Sequence, residues 1–417
     1  MYKSKRRTEP PSFTKLMKKT HTVLIPSMLD FHFPLLKYAF LAGGYKAECL
    51  NPNAFNKQEI IRLGWKYSNN DLCYPANLII GQFISALKSG KYNSHKIALL
   101  LPQTGGGCRA CNYIHILRKA LNKAGFSYIP VISLNVSGVE RQKGFSINLK
   151  MVLTACAAIY YSDLLMHLYH CILPYEKYKT DTKKMVNKWN VILGKELSQF
   201  NGISPDKIAN NFKLICDDFK KIVICRKNVK HIGITGELYA KFCCLGNGNI
   251  EEFLIKHKCR IHMTGFVPYI MYLADRCAEE DRIYNKISLS GQGAKILISY
   301  MTHLQKLCNE SLRHCGFEEI ALYKQLKSYC CANDFGKTMG DGWLIKAETA
   351  DLLDEGCQAC FMTVPFGCMV SHTCARGVIN ELRKKYPNKI ICPIDYDSGS
   401  TEINQENRIK MVLDFIK

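Results

Sequence analysis

From His21 onward the chain alternates short apolar runs with amphipathic stretches. The run His21 to Pro26 reads as a strand, Phe33 to Ala42 as a helix stopped by Gly43 and Gly44, and Lys46 to Leu50 as a second strand. Together they make a βαβ opening. The rhythm continues through a helix around Gln58 to Tyr67, a helix from Pro75 to Ser89 closed by Gly90, and the buried-type strand Lys96 to Leu101. A glycine-rich turn, Thr104 to Cys108, then leads into a helix ended by Gly125 and a strand from Tyr128 to Leu134.

Between Leu149 and Phe219 the strand signal fades, and Asn148 to Ile172 and Lys183 to Phe200 carry helical periodicity with aromatic residues interleaved as packing. A second α/β rhythm starts at Lys230 to Thr235 and runs to the C-terminus. Its units are a helix Asn249 to His257, a strand Arg260 to Thr264, a helix Pro268 to Cys277, a helix Lys346 to Glu355, a strand Cys360 to Val364, a helix Cys374 to Tyr386, a strand Lys389 to Ile394 and a closing helix Asn404 to Ile416. Strands alternating with helices predict parallel sheets covered on both faces. The fold class expected is therefore α/β, with two doubly wound parallel-sheet lobes joined by a helical segment. The boundaries read as a basic extension over 1–20, a first lobe over 21–145, helices over 146–229 and a second lobe over 230–417.

The length, 417 residues, agrees with more than one domain. Hydrophobic content of 47% with 22% charged residues suits globular cores and not disorder. The opening Met1 to Thr20 is basic but is followed by no apolar signal core, and stretches such as Met151 to Tyr161 are shorter than the roughly 20 residues of a membrane span. A cytoplasmic protein without a membrane segment is the expectation. The net charge of +22 would suit nucleic acid, yet it is spread along the chain and no aromatic-basic recognition motif accompanies it, so no nucleic-acid partner is expected. The same charge favours anionic substrates such as CoA thioesters.

The 21 cysteines, in a chain without an export signal, read as thiols or metal ligands in a reducing compartment. Such a load of thiols suits an anaerobic cell. In doubly wound sheets ligands collect outside the carboxyl ends of the strands, against helix N-termini. Cys108 and Cys368 each follow a strand and a glycine-containing turn and precede a helix, and Cys73 stands ahead of a helix whose first turn holds Pro75. At such positions backbone amides and the helix dipole are expected to lower a thiol's pKa and ready it for metal.

Competing readings exist for the same residues. Gly105, Gly106 and Gly107 could form a plain tight turn or a phosphate cradle, although neither a Walker sequence nor a dinucleotide fingerprint is present. Cys108 with Cys111 and Cys357 with Cys360 form two CxxC pairs that could share a zinc ion, and Cys108 with Cys111 could be a redox dithiol. Cysteines on helical or apolar stretches, among them Cys156, Cys171, Cys216 and Cys308, read as inert core thiols. His372 is the histidine adjacent to a candidate ligand.

The segments Asn70 to Phe83, Gln103 to Tyr113, Gly342 to Glu348, Pro365 to His372 and Pro393 to Asp397 resemble the 2-hydroxyacyl-CoA dehydratase component family. The likeness is to the module at the C-terminal end of fused acyl-CoA dehydratase activase proteins, and it covers about His21 to Lys417. It implies Rossmann-like lobes with a [4Fe–4S] cluster between them, held by Cys73, Cys108 and Cys368, with an open position on the fourth iron. It also implies an ATP-dependent activase partner that delivers one low-potential electron, an acyl-CoA or small reducible substrate, and a homo- or heterodimeric assembly. In the dehydratases a ketyl radical then lets water leave, whereas related proteins hold a double-cubane cluster and reduce small molecules. Cys111 stands where the family pattern has Ser or Thr and Cys374 lies six residues after Cys368, which makes both secondary candidates as ligands of a larger cluster. The ATP-binding activase portion is not in this chain. Two functions of different class follow: an electron-accepting enzyme component of lyase or oxidoreductase type, and a non-enzymatic cluster- or metal-binding carrier.

Overall fold

The computed structural model describes residues 10–69, 71–102, 107–134, 142–225, 227–331, 334–335 and 338–416. The first lobe runs α1 (Met17–Thr20), β1 (Thr22–Ile25), α2 (Phe33–Ala42), β2 (Lys46–Cys49), α3 (Lys57–Tyr67), α4 (Tyr74–Lys88), β3 (Ile97–Pro102), α5 (Tyr113–Ala124) and β4 (Val131–Leu134). Three long helices follow: α6 (Leu149–Ile172), α7 (Asp181–Ser198) and α8 (Pro205–Lys220). The second lobe opens with β5 (Lys230–Gly236), α9 (Leu238–Phe242), α10 (Cys244–Asn247), α11 (Ile250–Lys256) and β6 (Cys259–His262). It continues through α12 (Val267–Ile283), α13 (Leu289–Cys315), α14 (Tyr323–Ser328), α15 (Leu344–Asp354), β7 (Ala359–Pro365), α16 (Ile379–Lys385), β8 (Ile390–Tyr396) and α17 (Glu402–Phe415).

Both sheets are four-stranded and parallel throughout, with orders β2-β1-β3-β4 and β6-β5-β7-β8. The two lobes thus repeat one topology. In each, the direction of winding reverses between the two central strands, β1/β3 and β5/β7, which opens a crevice at their carboxyl ends. The sequence explains the burial: Ile97 to Leu101 are buried without a polar break, and all seven residues of β7 are buried, as a sheet covered on both faces requires. Local signals end the helices as well. The Asn56 side chain accepts hydrogen bonds from the Gln58 and Glu59 amides to start α3, and Gly125 closes α5 at φ 85°.

Asp163, in the middle of α6, fastens three parts of the molecule together. Its buried carboxylate meets His32 Nε2 of the first lobe at 2.6 Å and accepts from the Phe266 and Val267 amides at 2.7 and 2.8 Å, capping α12 of the second lobe. Direct contacts between lobes add to this: the Cys244 amide donates to Asp30 Oδ2 at 2.7 Å, and the Tyr74 amide donates to the Phe366 carbonyl at 2.9 Å.

Four details differ from the sequence reading. The strand expected from Tyr128 begins only at Val131, after Pro130, which has no amide hydrogen to give a ladder. Between β6 and β7 the chain makes a long helical excursion, α12 to α14, whose 27-residue α13 packs on α8; the reading had a helix only to Cys277 there. The extension over 1–20 is anchored in its described part, since Phe13 is fully buried and its amide donates to Gln142 Oε1 at 2.7 Å. Lastly, α6 with its following turn (Leu149–Tyr175) is long and apolar enough to cross a bilayer, contrary to the run-length count, but 78% of its most apolar window is buried inside the protein. Asp163, His167 and His170 interrupt the apolar run and hide that length from a count of consecutive residues.

Candidate functional site

The three cysteines singled out from sequence line one cavity of about 420 Å³ between the lobes. Cys73 is the N-cap of α4, with Pro75 in the first turn as expected. Cys108 follows β3 and is the N-cap of a short 3₁₀ turn, Arg109–Asn112, that leads into α5. Cys368 follows β7 through the turn at Phe366 and Gly367. Residues from strand ends of both sheets therefore converge on the crevice that the topology creates.

Two glycines allow this convergence. Gly367 sits at φ 67°, and a Cβ there would stand 3.1 Å from the Cys73 Cα, so it lets the two ligand loops touch. Gly236 ends β5 at φ 119°, where a Cβ would fall 2.3 Å from the Thr363 carbonyl oxygen. The loops are tied in a second way, by Arg109 Nη1 donating to the Asp71 carbonyl at 2.9 Å.

Each sulfur has a hydrogen-bonding neighbour. Tyr113 Oη lies 2.6 Å from Cys73 Sγ, the Ala110 amide donates to Cys108 Sγ at 3.4 Å, and Ser371 Oγ donates to Cys368 Sγ at 3.1 Å. The expectation of lowered thiol pKa values at these helix starts is overturned. Burial pushes all three up, Cys108 to about 11, and these donors only partly offset it; the nearby Glu237 carboxyl adds to the rise. The apolar walls of the cavity outweigh one helix dipole, so these sulfurs become thiolates only when a cation sits beside them.

Cys73, Cys108 and Cys368 are not among the described residues grouped closely enough to hold a single metal ion as they stand.

Of the secondary candidates, Cys374 packs with Cys368, Val370 and Cys108 in a small buried cluster. It lies in a π-helical turn, Ser371–Ala375, where an α-helix had been expected to begin. Cys111 is half-buried one turn beyond Cys108, and neither it nor Cys374 is among the cavity-lining residues. The two CxxC pairs do not meet. Cys357 and Cys360 lie at the amino end of β7, and Cys368 with Cys108 at its carboxyl end, about 20 Å away at the rise of a strand. His372 is exposed. Gln103, Thr104, Gly105 and Gly106, where a phosphate cradle was weighed, lie outside the described residues, as does Asn70. All 21 cysteines are described, and no disulfide joins them.

Two acids that the sequence reading missed face the same cavity. Glu237 follows β5 and accepts from the Ala240 amide at 2.9 Å, and Asp341 precedes α15. Burial raises both: the Glu237 carboxyl is pushed up to about 7, and Asp341 goes well above the carboxylate range, with Glu237 and Glu348 adding repulsion. Glu348 is paired with Lys241 at 2.9 Å, both almost fully buried. One ammonium thus stands among the buried Asp341 and Glu348 and the half-buried Glu237, and protons neutralise the surplus. The rule that located Cys108 and Cys368 at strand ends applies equally to Glu237. Asp341 carries no comparable local signal.

The one group among the described residues with mononuclear metal-ligand spacing is Asp217, His314 and Cys315, at the α8/α13 contact and away from the cavity. No protein-family model matches the chain, and no curated protein matches it.

Proposed function

We propose that this chain is an iron–sulfur protein in which Cys73, Cys108 and Cys368 hold a cluster at the interlobe crevice, and that it accepts low-potential electrons from an ATP-dependent activase for reductive or radical chemistry in the adjoining cavity. The observation that carries the reading is the placement of the three sulfurs, from both lobes, on one apolar cavity. Three thiols brought from both lobes to one cavity suit a [4Fe–4S] centre with an open position on the fourth iron. Cys374, packed against Cys368, and Cys111, one turn beyond Cys108, are the secondary candidates if the centre is a larger double cubane.

An iron–sulfur centre bound there supplies one-electron reduction and an open coordination position. The protein's own contribution is separable from it. Tyr113 donates to the Cys73 sulfur and steadies its negative charge. The apolar walls exclude water, and a cavity of about 420 Å³ falls in the range of small-molecule sites, which suits a short acyl group or small reducible molecule beside the cluster. Asp341, kept protonated by burial, and Glu237, which titrates near 7, hold protons at the cavity wall for a departing or reduced oxygen. That acid pair favours a catalytic component over the alternative of a passive cluster or metal carrier, which needs no proton donor. A cytoplasmic location and an activase partner belong to the same proposal.

Anaerobic purification tests it. Iron and sulfide counts near four per chain, or about twice that for a double cubane, with an electron paramagnetic resonance signal on reduction, are the expected result. Cys73→Ser, Cys108→Ser and Cys368→Ser should each lower iron content, whereas Cys225→Ser should not. A colourless protein without iron, or one with stoichiometric zinc, overturns the reading. Turnover of an acyl-CoA or a small reducible substrate with activase and ATP separates enzyme from carrier.

A further inference from the structure

A second cluster of chemistry lies at the far end of α6. Cys156 lines the interlobe cavity, and Cys171 is fifteen residues further along the same helix, about 22 Å away at the α-helical rise. There a separate small cavity, about 40 Å³, is lined by His167, His170, Cys171, Arg260, His262 and Glu318 among others.

Two N–H donors converge on the Cys171 sulfur. Arg260 Nη2 stands 3.2 Å from it, and His167 Nε2, one helical turn earlier on the same face, stands 3.6 Å from it. The same His167 nitrogen lies 2.8 Å from the Glu318 carbonyl oxygen. A carbonyl can only accept, so Nε2 carries a hydrogen directed mainly at it, and the sulfur 3.6 Å away shares that hydrogen as the longer arm of a three-centre bond. Arg260 is oriented by Glu318, to which Nη1 donates at 3.0 Å, and its buried Nε has no partner among the described residues.

The charges agree with this geometry. Burial alone would raise the Cys171 thiol, but the His167 charge and hydrogen bond, with Arg260 behind them, hold it below the usual thiol value. Burial works against the His167 charge, yet the sulfur and the Glu318 carbonyl raise it to about 9. The negative end of the α6 dipole opposes a thiolate here, and the two cationic donors offset it. His262, across the cavity, is held neutral by burial and by Arg260, while Glu318, Glu319, Asp351 and Glu355 are the acids on its wall.

We propose that Cys171, read from sequence as an inert core thiol, is a peroxide-reactive modification site formed by the His167–Cys171–Arg260 cluster. The thiolate sulfur attacks one oxygen of hydrogen peroxide, and an S–O bond forms as the O–O bond breaks. Sulfur is oxidised by two electrons to sulfenic acid and the peroxide is reduced. The departing hydroxide takes the His167 proton and leaves as water. The cavity's size supports this choice of reactant, since about 40 Å³ admits a molecule of water or peroxide dimensions. Cys171 is half-buried as a residue and lines this cavity.

The test treats the full chain with hydrogen peroxide near neutral pH, traps sulfenic acid with dimedone, and quantifies each cysteine by peptide mass spectrometry. Cys171 should be labelled about ten-fold faster than the half-buried Cys225 and Cys277, which serve as internal controls. His167→Gln and Arg260→Gln should each remove most of that advantage, and iodoacetamide alkylation of Cys171 should titrate at lower pH than the controls. Because Arg260→Gln also removes the Glu318 pairing, His167→Gln, read together with the wild-type alkylation profile, decides the matter if the arginine variant fails to fold. Labelling of Cys171 no faster than Cys225 and Cys277, or a rate unchanged in His167→Gln, overturns the proposal. None of these readouts depends on iron, so the result stands apart from that of the cluster experiment.

Discussion

The hydroxyl of Tyr113 lies 2.6 Å from the sulfur of Cys73, a contact between the first turn of α5 and the N-cap of α4 that the chain makes across forty residues. Tyr113 is buried, and its own proton is held far above the usual phenol range by burial and by the neighbouring sulfurs, so it stays a donor at any working pH. If Cys73 ligates a cluster, Tyr113→Phe leaves a charged sulfur short of one hydrogen bond, an interaction worth about 1.5–3 kcal/mol when one partner is ionised. The expected outcome is a lower reduction potential at unchanged iron content, read by redox titration of the paramagnetic signal. An unchanged potential would remove Tyr113 from any electronic role.

Gly367 controls how closely the two ligand loops approach. Replacement by alanine forces a left-handed backbone at φ 67° on a residue with a Cβ, at a cost of about 1–2 kcal/mol, and drives that Cβ towards Cys73. Gly367→Ala should lower iron retention in anaerobic gel filtration, whereas Gly377→Ala, where a Cβ meets nothing, should not. Equal retention in the two would show that the loops tolerate separation.

The raised carboxyls give the protein a pH signature. Glu237 titrates near 7 when folded and near its ordinary value when unfolded, so between those two values the folded state holds the extra proton. Its contribution is full below about pH 4.5 and is lost as pH rises to about 7. Asp351, also raised to about 7 by burial, acts in the same direction. Denaturant unfolding at intervals from pH 5 to 8 should show stability falling with pH, less steeply in Glu237→Gln. Stability rising across that window would contradict the protonated pair.

The buried Lys241–Glu348 pair should behave as a unit. Lys241→Met strands a carboxylate that burial already pushes up, and the loss should approach about 3–5 kcal/mol at alkaline pH, shrinking at pH 5 where Glu348 can take a proton. Adding Glu348→Gln should recover most of it. A double variant as unstable as the single one would assign the loss to lysine packing instead.

The periodic apolar runs made both parallel sheets legible, because a strand buried on two faces is largely apolar, as β3 and β7 are. The rule that ligands gather at strand ends was enough to pick Cys108 and Cys368, and proline in the first turn marked Cys73. Other features were not local. The π-turn at Ser371–Ala375 carries no clear punctuation, and although Ser288 caps the start of α13 and Gly316 closes it at φ 80°, nothing local announces that it packs on α8. Asp163 looked like an interruption in an apolar helix, since nothing near it in sequence announces the His32 ring and the two amides that it meets.

What the chain order alone determined was the alternation of elements, their parallel pairing and the side of each sheet on which the cysteines fall, since these follow from periodicity and the handedness of crossovers. Only the tertiary structure decided the electrostatics. The thiol and carboxyl shifts depend on how much water burial removes and on charges brought from distant segments. The same cysteine chemistry is therefore pushed up at Cys73, Cys108 and Cys368 and pulled down at Cys171, where Arg260 and His167 meet one sulfur.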